Sequence, residues 1–179
     1  MVVGMLQAEA VLFCLEHLYI MCKNTKKKKN HGKSRNLFVY SQEKRSIMKQ
    51  IHVVAAVIEQ AGKILCTQRL RSHEAYNSER WEFPGGKVEE GESDHAALLR
   101  EIREELDWDI YVGRELCTVT HDYPDFTIVL TAYRCRPGDG DFTLLQHLDA
   151  RWLGPDELPE LNWAEADRKI VDHILTDKP

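Results

Sequence analysis

The hydrophobic pattern of this chain predicts several strands. Residues 52–58, HVVAAVI, are a continuous run of β-branched residues and alanine, which is typical of a strand buried on both faces. After a turn that contains Gly62, residues 63–69 favour the second strand of a hairpin. Further strands are predicted at 110–119, 126–135 and 149–153, with turns rich in Asp, Pro and Gly between them.

Two segments follow a helical period instead. Residues 93–106 contain no Gly or Pro, and their aliphatic residues recur on one side at about 100° per residue. Residues 164–175 show the same recurrence, and a turn of helix is predicted at 155–158. The aliphatic positions are Leu98, Leu99, Ile102 and Leu106 in the first helix and Ile170, Val171 and Ile174 in the last. One helix between strands and one at the end predict an α/β fold with a mixed sheet between helices.

The first predicted helix carries clustered carboxylates. Ser93 is a predicted N-cap, and Asp94 lies in the first turn, where the helix dipole favours negative charge. Glu101, Glu104 and Glu105 gather on a side roughly a third of a turn from the aliphatic one. Such carboxylates repel one another unless a cation lies among them, and hard oxygen ligands suit Mg²⁺. The alternative is an exposed helix with Glu–Arg pairs.

The segment before this helix favours the metal-site interpretation. Residues 84–91 contain three glycines in eight positions, which lets backbone groups approach a ligand or metal closely. Arg100 precedes the carboxylates and is predicted to hold Glu92 or another acid by a bidentate pair.

Charge is distributed unevenly along the 179 residues. Residues 1–47 carry nine Lys or Arg against three acids, whereas residues 48–179 carry fifteen against 26, a net charge of −11. So acidic a domain is poorly suited to binding the phosphates of duplex DNA. We therefore predict a small polyanionic partner and no duplex nucleic acid.

Residues 1–47 are predicted to be an extension without a part in catalysis, ahead of a domain at 48–179. The apolar segment at 5–22 contains Glu9 and Glu16, which argue against a membrane span, and it lacks the flanks of a secretory signal. The four lysines at 26–29 are more typical of a solvated linker than of a nucleic-acid or lipid contact. Five cysteines without CxxC spacing indicate reduced thiols in a cytoplasmic protein.

From Gly86 to Trp108 the chain resembles the Nudix box. That motif runs Gly, five residues, Glu, seven residues, Arg-Glu, an apolar residue, any residue, Glu-Glu, any residue, Gly and an apolar residue. Asp107 stands where the family usually has Gly to end the helix in a left-handed conformation, which Asp tolerates better than most residues. The flanking sequences VVAAVI, GKILCTQR and WLGPDELPELNWAEADRKIV resemble the MutT type of nucleoside triphosphate pyrophosphohydrolases. The resemblance implies a Nudix α/β/α sandwich over roughly residues 48–175.

The resemblance also implies a reaction: Mg²⁺- or Mn²⁺-dependent attack of water on a nucleoside triphosphate, giving the monophosphate and pyrophosphate. Glu101, Glu104 and Glu105 match the metal-ligand carboxylates, and Glu101 is also a candidate to activate water. The match further implies that a carbonyl of Gly85 or Gly86 completes the coordination, while Glu92 and Arg100 organise the site.

The general base is left open by the sequence. Many relatives carry another Glu six residues before the Trp that matches Trp152, whereas this chain has Gln146 there. Gln does not take a proton at neutral pH. Either Glu101 acts as the base, or Asp149 reaches into the site.

Substrate recognition rests on looser matches. Asp167 matches the residue that reads the base in MutT-type relatives, and an ionised Asp would suit the donor groups of guanine or cytosine. The alternative reader is Asn162, and the plainer interpretation of Asp167 is first-turn helix charge. Other candidates are Phe83 and Tyr123 to stack on or wall the base, with a place in the core as the alternative for both aromatic residues. Arg69 is a candidate to contact base or phosphate, and Lys87 to lie near the phosphates or, alternatively, to be solvated. Trp81, Trp108 and Trp152 are interpreted as packing residues.

Two classes of function follow. The first is an enzyme that sanitises or recycles nucleoside triphosphates, either oxidised guanine nucleotides such as 8-oxo-dGTP, in support of DNA repair, or CTP and dCTP. The second is a non-catalytic nucleotide-sensing domain. Retention of Glu101, Glu104 and Glu105 favours the enzyme, and the sequence leaves the oligomeric state open.

Overall fold

The computed structural model describes residues 49–72 and 78–177 of the chain. The predicted extension at 1–47 lies outside these residues, and so do the expectations for its apolar segment, its lysine run and two of the cysteines. No helix in the described ranges is long and apolar enough to cross a membrane.

The described chain forms a mixed β-sheet with helices. Its central order is β3-β2-β1-β6-β5, while β4 pairs with β1 and β7 pairs with β2. Strands β1 and β6 are parallel and the other pairs are antiparallel. In chain order the elements are β1 (Lys49–Gln60), β2 (Lys63–Arg69), β3 (Trp81–Glu82), β4 (Gly85–Lys87), α1 (Asp94–Leu106), β5 (Ile110–Asp122), β6 (Phe126–Pro137), β7 (His147–Leu153), a 3₁₀ helix (Pro155–Glu160) and α2 (Glu165–Thr176).

Strand β1 lies between two hydrophobic clusters. Val54 and Ile58 belong to the cluster that contains Leu98 and Ile102 of α1. Ala55 and Val57, which alternate with them along the strand, belong to the cluster that contains Ile170 and Val171 of α2. Because successive strand residues point to opposite faces, β1 is apolar on both, which explains its unbroken hydrophobic sequence. The predicted α/β fold with a sheet between helices is confirmed.

The described cysteines belong to these two hydrophobic clusters. Cys66, Cys117 and Cys135 are free and buried. Burial raises the pKa of the Cys66 and Cys135 thiols to about 12, so these cysteines are protonated and pack as small hydrophobic residues. The prediction of reduced thiols is confirmed for the described cysteines.

The structure departs from the predicted elements around β2. The β1–β2 hairpin keeps only two register pairs, Glu59 with Ile64 and Gln60 with Lys63, before β2 continues against β3 and β7. Strands β3 and β4 were not predicted, because two or three residues are too few to show a period of two. Strand β4 lies inside the glycine-rich segment and pairs with β1, so that segment is partly strand.

Candidate active site

Helix α1 begins and ends as its sequence predicts. The Ser93 hydroxyl accepts a hydrogen bond from the Ala96 N–H at 3.3 Å, which satisfies one open donor of the first turn. Asp107 adopts the left-handed conformation (φ 46°, ψ 45°), and its N–H donates to the Arg103 carbonyl at 3.0 Å. Asp therefore ends this helix at the position where the Nudix box usually has Gly, and the glutamates lie in its last two turns.

The glycine pair of β4 lies against two of these glutamates. The Gly85 N–H donates to Glu105 Oε2 at 3.0 Å. At Gly86 a Cβ atom would lie within 2.5 Å of the Glu101 carboxylate, so only glycine leaves room for that group. Gly85 has φ +150°, and a side chain there would also overlap the Val54 carbonyl oxygen. Two carboxylates from α1 therefore meet the backbone of one glycine pair.

Arg100 orders the acids around it. Its Nε and Nη2 donate to the two oxygens of Glu92 at 3.1 and 2.9 Å, which is the predicted bidentate pair. Its Nη1 donates to Glu101 Oε1 at 2.8 Å, and Nη2 also reaches the Lys87 carbonyl at 3.0 Å. The hydrogen bonds from Arg100 hold the pKa of Glu92 below its usual value. Arg100 thereby fixes Glu101 next to Gly86.

The three box glutamates differ in exposure. The Glu104 side chain is 52% exposed, whereas those of Glu101 and Glu105 are 16% and 15% exposed. Burial raises the pKa of Glu101, although hydrogen bonding to Arg100 opposes the shift. Burial raises the pKa of Glu105 well above its usual value, and the charge of Glu82 adds to this. Both shifts indicate carboxylates whose ionised forms would be stabilised by a nearby cation.

The donor set fits a hard divalent cation. Carboxylate oxygens of Glu101, Glu104 and Glu105 and the carbonyls of Gly85 and Gly86 are the ligand type that Mg²⁺ prefers. Across residues 49–72 and 78–177, no three His, Cys, Asp or Glu side chains are already gathered in a metal-holding group. Arg100 donates to Glu101 and the Gly85 N–H donates to Glu105, so protein donors hold both carboxylates in the structure.

A second acidic group lies beside Glu105, and the sequence did not reveal it. Arg69 Nη1 donates to Glu82 Oε2 at 2.6 Å. His147 Nε2 lies 3.2 Å from Glu82 Oε1 and 3.9 Å from Glu105 Oε1. The available signal was an acid between two buried aromatic residues, Trp81 and Phe83, in a strand-like segment. Glu82 and His147 thus connect the predicted substrate residue Arg69 to the predicted metal site.

Asp167 lies next to this group. It is 7% exposed, and its Oδ1 accepts a hydrogen bond from the Phe83 N–H at 3.0 Å. Burial raises the pKa of Asp167 to about 7, and the charge of Glu82 adds to the shift. Burial and then the charge of Asp167 raise the pKa of Tyr123 as well. The structure therefore brings Asp167 close to Glu82, Arg69 and Tyr123. A residue that served only as charge at the start of a helix would be exposed and would not need these neighbours.

Two substrate predictions are changed by the structure. Phe83 was predicted to stack on or wall the base, but its ring is buried, 3% exposed, and stacks on Trp163 with centroids 4.8 Å apart. Alternation along the extended segment turns Phe83 inward with Trp81, so it is a core residue. Asn162 is exposed, and its Oδ1 accepts a hydrogen bond from Arg80. Asp167 is thus the better placed of the two predicted base readers.

The remaining aromatic and basic candidates differ in their surroundings. Tyr123 is 8% exposed and stacks on Phe126 with centroids 5.0 Å apart. Lys87 is exposed, and its carbonyl is the group that contacts Arg100. Trp81 and Trp108 are buried packing residues and Trp152 is partly buried against the core, as predicted.

The structure also bears on the general base. Gln146 Nε2 donates to the Glu104 carbonyl at 3.0 Å, so it joins the start of β7 to the end of α1. Asp149 accepts hydrogen bonds from the Arg151 guanidinium at 3.0 Å and from the Ala150 N–H at 2.9 Å. Neighbouring groups on its own strand thus hold the Asp149 carboxylate, which disfavours the alternative in which Asp149 reaches into the site. Glu101 stays the predicted base.

Known proteins match the part of the chain that carries this site. The family model described as NUDIX domain matches residues 48–174. The chain is 37% identical over 128 residues to the CTP pyrophosphohydrolase of Escherichia coli (strain K12), covering 72% of this chain and 93% of that protein. It is 41% identical over 87 residues to an 8-oxo-dGTP diphosphatase of Proteus vulgaris, covering 48% and 75%. The solution structure of MutT from methicillin-resistant Staphylococcus aureus 252 aligns with a TM-score of 0.59 and 42% identity, over 74% of this chain and 100% of that one.

Proposed function

This chain belongs to the Nudix family of hydrolases, and on that premise we propose that it hydrolyses nucleoside triphosphates to the monophosphate and pyrophosphate with Mg²⁺, for which Mn²⁺ can substitute. The observation that carries the proposal is the meeting of Glu101 and Glu105 with the Gly85–Gly86 backbone. Glu104, half-exposed on the same helix and 3.8 Å from Arg100 Nη1, adds a third carboxylate.

Each residue of the group has a proposed task. Glu101, Glu104, Glu105 and a carbonyl of the glycine pair hold the divalent cation. When bound, that cation supplies charge neutralisation for the phosphates and a more acidic water. Arg100, itself held by Glu92, orients Glu101, which takes the proton of the attacking water. Lys87 contributes positive charge near the phosphates, and Arg69 contacts the base or the phosphates.

The substrate is proposed to be an oxidised guanine nucleotide such as 8-oxo-dGTP, which would make the protein a sanitiser of the cytoplasmic nucleotide pool. CTP and dCTP are the second candidates, because the chain is 37% identical to a CTP pyrophosphohydrolase. Asp167 supports both, since a carboxylate accepts hydrogen bonds from the amino groups of guanine and of cytosine.

A nucleotide panel tests this function. Pyrophosphate and orthophosphate release are measured separately with Mg²⁺ for dGTP, 8-oxo-dGTP, CTP, dCTP, ATP and UTP. We expect pyrophosphate from 8-oxo-dGTP or from the cytosine nucleotides, and loss of all turnover in EDTA. Nucleotide binding without turnover on any member would instead identify a sensing domain and refute the proposed reaction.

The base reader is tested by Asp167→Asn, which keeps the side-chain shape and removes the titration. Because the pKa of Asp167 lies at about 7, the wild-type carboxyl changes from a neutral donor and acceptor below pH 7 to a pure acceptor above it. We expect the wild-type ratio of kcat/KM between guanine and cytosine substrates to change between pH 6 and 8, whereas the Asn variant shows a constant ratio. Equal pH dependence of that ratio in both proteins would contradict the assignment.

A further inference from the structure

One buried side chain of the site has no task in the proposed reaction. His147 begins β7, and its side chain is 2% exposed. Its Nδ1 is buried without a hydrogen-bond partner among the described residues. Such an atom lowers stability relative to an apolar side chain of similar size. Packing alone therefore gives no reason for His at this position.

The path of β7 turns this side chain inward. Gln68 of β2 is opposite Asp149, but the next residue, Arg69, is opposite His147, so Leu148 is an extra residue in the ladder. Leu148 is 53% exposed, whereas the neighbouring His147 ring is buried. Bulges of this kind redirect side chains next to functional sites. Here the bulge places the ring beside Arg69 and between two acids.

The contacts of the ring span both ends of the site. Nε2 lies 3.2 Å from Glu82 Oε1, and Glu82 in turn binds Arg69 at 2.6 Å. The same Nε2 lies 3.9 Å from Glu105 Oε1, and Glu105 accepts from the Gly85 N–H. One nitrogen therefore faces both Glu82, which binds Arg69, and Glu105, a carboxylate of the proposed metal site.

We propose that His147 is a positioning residue that holds the Glu82 and Glu105 carboxylates in a fixed arrangement through Nε2. The inference rests on the proposed function, because Glu105 is assigned there as a metal ligand. Two nearby, mostly buried carboxylates repel each other. A donor that hydrogen-bonds Glu82 and lies 3.9 Å from Glu105 restricts the rotation of Glu82 and limits that repulsion. Groups that orient metal ligands in this way affect metal affinity or activity about 10- to 100-fold when they are replaced.

Two amide variants of different length separate positioning from packing. The amide nitrogen of His147→Gln reaches the place of Nε2, whereas that of His147→Asn reaches only the place of Nδ1. His147→Leu keeps bulk without a donor. The dissociation constant for Mn²⁺ is measured by electron paramagnetic resonance in nucleotide-free protein, and kcat and KM are measured afterwards.

We expect the Gln variant to bind Mn²⁺ within about 3-fold of wild type, and the Asn and Leu variants to bind it about 10-fold or more weakly. Their kcat should fall by a similar factor, with a smaller change in KM. His52→Leu is the matched control. It also removes a pair between a His and a carboxylate, because His52 lies 3.5 Å from Asp94 in the first turn of α1, the helix that carries Glu105. Equal Mn²⁺ affinity in all three His147 variants, or a Gln variant as weak as Leu, would overturn the proposal.

A measurement on the wild-type protein covers the case in which a variant does not fold. Long-range ¹H–¹⁵N spectra of the ring show which nitrogen carries a proton, and the proposal requires a proton on Nε2. An unprotonated Nε2 would overturn it. Mn²⁺ binding needs no substrate, so absence of turnover on every nucleotide would refute the proposed function without deciding the result for His147.

Discussion

Replacing Glu104 with Gln is expected to lower kcat for pyrophosphate release at least ~10²-fold while leaving the fold intact. Loss of one anionic ligand removes several kcal/mol of charge stabilisation, and each ~1.4 kcal/mol is a factor of ten in rate. Glu104 is suited to this test because its side chain is 52% exposed and its nearest cation, Arg100 Nη1, lies 3.8 Å away. The substitution therefore disturbs no tight hydrogen bond.

The matched control is Glu90→Gln, a change of the same chemistry on the exposed approach to α1. We expect this variant to retain wild-type kcat, and both variants to unfold at the wild-type temperature. The comparison is made with saturating Mg²⁺ and with the best nucleotide of the panel. Wild-type turnover by the Glu104 variant would remove Glu104 from the metal site.

Gly86→Ala is expected to have an effect of similar size for a steric reason. The added Cβ would lie within 2.5 Å of the Glu101 carboxylate, so that group has to move away from the glycine pair. The backbone at Gly86 is outside the left-handed region, so strain of φ does not contribute. We expect kcat to fall ~10²-fold, because misplacing the proposed base by about 1 Å has that effect.

Gly154→Ala serves as the control for this variant. Gly154 has φ −69°, and a Cβ there would meet only the flexible Glu157 carboxylate, at 3.3 Å. This protein should keep wild-type kcat and Mn²⁺ affinity. If Gly86→Ala also kept them, the close approach of Glu101 to the glycine pair would have no part in the reaction.

Local signals in the sequence account for much of the fold. The period of α1, its Ser93 cap and its last residue, Leu106, were predicted, because capping and helical spacing involve residues a few positions apart. The left-handed Asp107 that ends the helix was shown by the structure. The double-sided burial of β1 was predicted from its continuous apolar run. Strand β4 was missed, since a Gly-Gly-Lys segment carries no hydrophobic alternation and becomes a strand only by pairing with β1.

In the candidate site, too, contacts between residues close in sequence were predicted, and contacts between distant residues were not. Arg100 lies in α1 and Glu92 lies in the loop before it, eight residues away along the chain. Their pair was predicted from this spacing. Glu82 and His147 are 65 residues apart, and the bulge that brings them together depends on the register of β2 and β7. The sequence left Phe83 open between base contact and core, because an aromatic residue beside a glycine-rich segment gives no sign of which way its ring faces.

By itself, the sequence determined a glutamate-bearing helix, its glycine-rich approach and the α/β class, because each of these depends on the order of neighbouring residues. Only the tertiary structure decided that Glu82, His147 and Asp167 join Arg69 and Glu105 in one group. The physical reason is that burial and strand register set the distances between residues far apart in the chain. Those distances in turn set how strongly neighbouring charges shift the pKa of each carboxyl group.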